Sequence, residues 1–523
     1  MSTTSDAART GVAGTERAGS AKGLRPGTVG LLGSVVIGIS CIAPAYTLSG
    51  ALGPTVAQVG QRLPAIFLVG FLPMLLVAFG YRELNRAIPD SGTSFTWGVR
   101  AFGPWVGWMS GWGLVAATVV VLSNLAGIAV DFFYLMLSQI FADESIADWG
   151  KNPFVNVLTC LSFMALATMI SYRDMQTTQK VQYVLVGFQV LILLMFAVVA
   201  FSRAGSGDAD AVGAVPVSLD WFNPAGVESF SAFAAGLSLS IFIFWGWDVT
   251  LTMSEETTSG HSTPGRAATL TIVLIVLLYL VVGVAAMRFA GFGTLGTGLG
   301  NEEIQENVFF ALAGPVLGPL AILMSIAVLS SSFASLQSTF VSPARTLLAM
   351  GHYGAISPKF ARVSPRFFTP GYATLVSAVV ASVFYAVMRF VSEAVLWDTI
   401  TTLGMLICFY YGLTAFSAVW YFRRQWFAGA RSFVFQLLFP LVGAIILATL
   451  FVTTLRDSMD PQYGSGSEVF GVGLVFVLGI AILLIGVVLM LISAARRPAF
   501  FRGETIPVGV AGDAGESRVG LEE

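Results

Sequence analysis

Along the chain, apolar stretches alternate with short segments that collect the charged residues, prolines and glycines. Roughly 20 apolar residues in a helix cross the hydrocarbon core of a bilayer. Cut at its charged and Pro/Gly-rich breaks, the sequence predicts an all-α polytopic protein with about twelve crossings. They run over residues 29–56, 63–84, 105–137, 153–172, 181–201, 227–253, 267–289, 317–350, 372–391, 397–422, 433–455 and 469–494.

The first and sixth crossings are interrupted. The first carries Gly30, Gly33 and Gly38, and its centre reads Gly38-Ile39-Ser40-Cys41-Ile42-Ala43-Pro44. A proline donates no hydrogen bond and crowds the preceding turn, so this helix is expected to open between Gly38 and Pro44. The sixth carries Phe244-Trp245-Gly246-Trp247-Asp248 at mid-length. An unpaired backbone group in lipid costs several kcal/mol, so open backbone there must be buried in protein or line a wet cavity. For the first break alone, a proline kink repaired by neighbouring helices is an equal account. Two interrupted crossings five apart point instead to a secondary transporter with inverted repeats and a ligand site at the breaks.

Composition narrows the class. The 523 residues are 56% hydrophobic and 11% charged, which excludes a soluble domain of this size. With the amino terminus in the cytoplasm, all but six of the 27 lysines and arginines fall in cytoplasmic segments; the six are Arg62, Lys151, Arg203, Arg288, Arg389 and Arg456. An even number of crossings then puts both termini inside a multi-pass protein of the cytoplasmic membrane. A net charge of -2 without a basic tract gives no sign of nucleic-acid binding. Cys41, Cys160 and Cys408 fall inside apolar spans and His261 and His352 in loops, so no metal, cofactor or acid–base catalysis is expected. Segments 1–26 and 498–523 read as polar cytoplasmic tails.

Three segments resemble the amino acid, polyamine and organocation (APC) transporter superfamily. The first is Glu83-Leu84 leading into Pro89-Asp90-Ser91-Gly92-Thr93, with Thr93 in place of a family glycine. The second is the sixth span running into Glu255-Glu256 and then a proline. The third is Ala344-Arg345-Thr346-Leu347 through Thr369-Pro370. The resemblance implies a leucine-transporter-type fold, with residues 27–205 and 206–425 as two inverted halves of five spans each and 426–497 as two peripheral helices. It implies an amino acid permease working by alternating access; a polyamine or other organic cation is the alternative substrate. A channel would need a continuous polar stripe and a membrane-bound enzyme a His, Cys or carboxylate cluster, and neither is visible.

At a helix break, free N–H groups suit a carboxylate and free C=O groups an ammonium. Mapped onto the breaks, the resemblance gives main-chain roles to Ile39, Ser40, Cys41 and Ile42, a carboxylate-facing helix start to Ala43, and amine-facing carbonyls to Phe244, Trp245, Gly246 and Trp247. A tryptophan there would gate the substrate, and Asn124 would line the pocket or bond between helices. Asp248 suits an N-cap of the inner half-helix and, as second choice, a substrate ligand. The family position for a coupling ion on the fifth span counts to Gln189, with Ser331 and Ser332 on the eighth as further candidates; proton, sodium and exchange remain open. Arg25, Glu83, Glu255 and Arg345 share one side of the membrane and are expected to form closing salt bridges.

Overall fold

A computed structural model describes residues 22–173, 175–206, 213–391, 395–463, 465–509 and 511. Most of the expected amino-terminal tail and the chain beyond 511 lie outside the described residues. The first crossing is split into α1 (Leu31–Ile42) and α2 (Pro44–Val59). Then follow α3 (Leu63–Ala87), α4 (Ser94–Phe102), α5 (Pro104–Phe141), α6 (Pro153–Ser171) and α7 (Met175–Ser206). The sixth crossing is split into α8 (Phe230–Ile243) and α9 (Val249–Thr252). After it come α10 (Thr263–Ala290), α11 (Val308–Leu317), α12 (Ala321–Thr339), α13 (Val341–His352) and α14 (Gly371–Val391). The chain ends through α15 (Val395–Tyr421), α16 (Phe439–Asp457), α17 (Leu474–Arg496) and α18 (Pro498–Phe501).

Ten helical runs among the described residues are long and apolar enough to cross a membrane. One of them, Leu31–Ala87, contains two crossings, and the shorter apolar helix Phe230–Ile243 belongs to another, which agrees with the count read from the charge pattern.

The bundle is organised around α5. Its most apolar 18-residue window is 100% buried, against 17% for α17, so α5 is the axis and α17 faces lipid along most of its length. The two split crossings lie side by side. Where the chain enters α1, the amides of Thr28 and Val29 donate to Glu256 O just beyond α9, and Thr258 N returns a bond to Val29 O. The end of the bundle that holds this pairing is called the Lys22 face below.

The expected carboxy-terminal tail is docked there as far as Ala511. Phe500 stacks on Phe95 with ring centroids 5.7 Å apart, Phe501 meets Trp105 at 4.7 Å, and Ala511 N bonds Tyr421 O at 3.1 Å. The run Pro498-Ala499-Phe500-Phe501 is apolar enough to pack against the start of α5, and that tethers the polar residues after it.

Candidate functional site

The first break is sharper than the sequence suggested. Helix α1 stays regular through Ile42, and only Ala43, at φ 57° and ψ 64°, leaves the right-handed region. The cause is Pro44. Its ring excludes an amide bond to Ser40 O, and that carbonyl is taken by Ala43 N at 3.1 Å instead. Gly38, expected at the edge of the opening, is helical and serves close packing: a Cβ there would lie 2.7 Å from Thr271 Oγ1 and 3.0 Å from Thr250 Cγ2. The opening is thus confined to residues 42–44, so Ile39 and Ser40 keep their helical geometry. The Cys41 carbonyl accepts from Ser335 Oγ at 2.8 Å, and the Tyr46 amide donates to Ser331 Oγ at 3.4 Å. Ala45 N has no backbone acceptor among the described residues.

The second break is longer. Helix α8 ends in tight three-residue closures, Phe244 N to Ile241 O and Trp245 N to Phe242 O, and Gly246 then turns at φ 109°. Only a residue without Cβ adopts that angle without strain, and a Cβ there would also lie 3.1 Å from Cys41 Sγ and 3.2 Å from the Cys41 carbonyl carbon. The two breaks therefore touch, Gly246 against Cys41, at one depth. Among the described residues the carbonyls of Phe244 and Trp245 and the amides of Gly246, Trp247 and Asp248 make no backbone hydrogen bonds.

Asp248 is not a cap. It has right-handed helical angles and no side-chain bond to the amides of α9. Its buried carboxylate accepts from Tyr411 Oη at 2.9 Å and Tyr410 Oη at 3.3 Å, and Tyr410 Oη in turn accepts from Trp245 Nε1 at 2.6 Å. A cap needs an extended residue ahead of the helix; here the preceding backbone already curls, which aims the carboxylate sideways at α15. No cation pairs with it among the described residues. Trp247 packs edge-on to Tyr81 at 5.0 Å and against Tyr411 at 5.1 Å, while Phe244 rests on Phe71 and Tyr279. Asn124 accepts from Tyr46 Oη and donates to Thr399 Oγ1 at 3.1 Å, a bond between helices.

On the fifth span the residue that reaches the first break is Gln182, not Gln189. Gln182 accepts from Ser40 Oγ at 2.5 Å and donates to Gln337 Oε1 at 2.8 Å and Ala334 O at 3.0 Å. Gln189 lies two turns further along α7, buried, with neither amide atom partnered among the described residues. Seven residues return a helix to nearly the same face, so counting along the sequence did not separate the two. Ser331 meets the start of α2 as described, whereas Ser332 bonds back to Val328 O at 3.1 Å within its own helix.

The Lys22 face is closed by ion pairs that take in two of the four expected residues, Glu255 and Arg345, each with a partner from outside the four. Lys22 Nζ lies 2.7 Å from Asp90 and 2.6 Å from Glu255, Tyr353 Oη donates to Asp90 at 2.6 Å, and Arg345 pairs with Glu256 at 2.6 Å with both side chains buried. Glu83 pairs instead with Arg431 at 2.7 Å, and Arg25 sits over the Phe368 ring. Burial would raise the Asp90 carboxyl, but the Lys22 ammonium and the hydrogen bonds from Lys22, Tyr353 and Gly92 N bring it down to about 2. Burial would lower Lys22, yet Asp90 and Glu255 hold it above its ordinary value. The pair is thus charged at neutral pH, and its contribution is lost only as pH falls towards about 2 or rises through the raised lysine value. Sequence reasoning missed Lys22, Asp90 and Glu256; the quoted Pro-Asp-Ser-Gly and Glu-Glu motifs held two of them.

Two broken helices meeting at one depth inside a bundle of membrane-spanning helices define a carrier of the leucine-transporter type. A crystal structure of MhsT in complex with L-phenylalanine has this fold at TM-score 0.59 and 14% identity, over 80% of this chain and 98% of that one. The chain belongs to the amino acid permease family, whose model matches residues 27–463. It is 22% identical to a low-affinity putrescine importer of Escherichia coli over 83% of this chain and 89% of the importer. It is equally 22% identical to a branched-chain amino acid permease of Lactococcus lactis, over 84% of this chain and 89% of that one.

Proposed function

We propose that the protein is a cytoplasmic-membrane permease that moves an amino acid or related amine by alternating access, with the substrate held where Cys41 and Gly246 meet. The observation that carries this reading is Asp248: a carboxylate buried at the second break with two tyrosine hydroxyls and no cation among the described residues. A charge left alone in a low-dielectric interior is costly, and an incoming ammonium or a proton relieves it. The substrate amine takes the Asp248 carboxylate and the free carbonyls of Phe244 and Trp245. The substrate carboxylate takes the free amide of Ala45 at the positive start of α2. Trp245 covers the amine side.

The ligands at the seam of Ser40, Cys41 O and Ser335 are all neutral, a weaker set for sodium than one that includes a carboxylate. This favours a proton or the substrate ammonium itself, at Asp248, as the charge that is moved. The Lys22 face is cytoplasmic in this reading, because the basic residues gather on it. Its ion pairs seal that side until one helix bundle, which includes the broken crossings, rocks against the remaining helices as a scaffold.

A diamine is the second reading, favoured by the same uncompensated acid. No second carboxylate joins the Asp248 cluster among the described residues, which argues for one amine rather than two. Reconstituted protein assayed for labelled amino acid and putrescine uptake, with a proton or a sodium gradient, tests both. Asp248→Asn should reduce uptake at least tenfold, since it removes the carboxylate charge that pairs with the amine. Full activity in that variant, or in Trp245→Ala, would reject the site.

A further inference from the structure

A groove of about 730 Å³ lies between α5, α13, α14 and α17, on the outside of the bundle. Its walls are formed rather than loose. Trp112 Nε1 donates to Ile482 O at 3.0 Å, its ring lies directly under Gly486, and Ser493 Oγ ties the end of α17 to Ala355 O. At the Lys22-face end stand Arg496 and Arg497, whose side chains have no partner among the described residues. Two further lining residues, Trp108 and Ser377, are 3% and 2% exposed, and the Trp108 Nε1 donor and the Ser377 hydroxyl find no partner either. Orphaned buried donors are rare in folded proteins and call for an acceptor from elsewhere.

Length identifies the acceptor. Arg496 and Ile482 are fourteen residues apart on one helix, roughly 21 Å. Half of a hydrocarbon core is about 15 Å, so the groove runs from headgroup depth to just past the middle of the bilayer. Its sides along that course are Val115, Val119, Phe384 and Ile482, all apolar. A molecule that is anionic at one end, carries ester carbonyls next and is hydrocarbon for the rest matches this order of groups.

We propose that the groove is a binding site for an anionic glycerophospholipid. The phosphate lies between Arg496 and Arg497, the ester carbonyls accept from Trp108 Nε1 and Ser377 Oγ, and the acyl chains follow the apolar walls. Clustered arginines beside a membrane helix attract anionic headgroups for the same electrostatic reason. A second groove of about 620 Å³, between α6 and α14, is an internal control: it has one arginine, Arg173, and no orphaned buried donor.

The test is thermal unfolding of the purified full chain titrated with phosphatidylglycerol, with phosphatidylcholine of the same acyl chains, and with inorganic phosphate. Phosphatidylglycerol alone should raise the transition temperature in a saturable way. Two arginines near an anionic headgroup predict that Arg496→Gln with Arg497→Gln weakens the apparent affinity more than tenfold. Val380→Trp, which fills the groove from its exposed side, should abolish the shift, and Arg173→Gln should leave it unchanged. The proposal is overturned if the arginine pair variant responds as the parent does, if phosphatidylcholine or free phosphate works equally well, or if cross-linking finds a second copy of the chain seated in the groove.

Discussion

The two breaks reach the same depth by different means. In the first crossing one proline removes one donor, and the chain answers with one left-handed residue, Ala43, between two regular helices. In the second no proline is present; Gly246 permits an angle without imposing it, and the irregular stretch extends from Phe244 to Asp248. A missing amide cannot be restored by any motion, whereas tight three-residue closures can relax to four-residue ones. Under the proposed function, the first break is then a fixed receptor and the second the part expected to rearrange when the site opens.

The largest effect is expected from removing the permission. Gly246→Val places a β-branched side chain at φ 109° and drives it into Cys41. Backbone strain and overpacking together amount to about 2–6 kcal/mol. The variant should unfold at lower denaturant concentration and lose substrate flux; parent-like behaviour in both assays would mean that the breaks do not touch.

A smaller effect is expected at the fixed break. Ser335→Ala leaves the buried Cys41 carbonyl without its donor, a cost of about 1–3 kcal/mol. Because Ser335 holds a feature that does not move, stability should fall while the substrate dissociation constant of the folded fraction changes little. If binding weakens with stability unchanged, Ser335 touches the substrate, and the contrast between a fixed and a moving break is wrong.

Local chemistry was legible in the sequence and long-range pairing was not. Pro44 and Gly246 announced the breaks, because missing donors and missing Cβ atoms act on their own neighbourhood. The residues that complete the site come from distant segments: Tyr410 and Tyr411 for Asp248, Ser335 for Cys41, Lys22 for both Asp90 and Glu255. Nothing in a single chain of letters pairs positions 22, 90 and 255. The width of the first opening was overestimated because Gly38 reads as a helix breaker, whereas in a crowded bundle it serves the approach of Thr250 and Thr271. The docking of Phe500 and Phe501 was available in their apolar character but was outweighed by the polar residues that follow.

The smallest and most discriminating change is Ala43→Gly. A left-handed alanine is strained by about 1–2 kcal/mol, and glycine relieves that but loses roughly 0.5–1 kcal/mol of chain entropy on folding. The balance lies between no change and a stabilisation of about 1.5 kcal/mol, at most a small rise in the unfolding midpoint. If the first break is fixed by Pro44 rather than by Ala43, flux in this variant should stay close to the parent's. A glycine in the same strained role at the second break is already the native residue, so the change makes the two breaks alike in chemistry while only one retains a proline. A fall in flux without a fall in stability would show that stiffness at Ala43 is itself required, and that the rigid receptor depends on two residues instead of one.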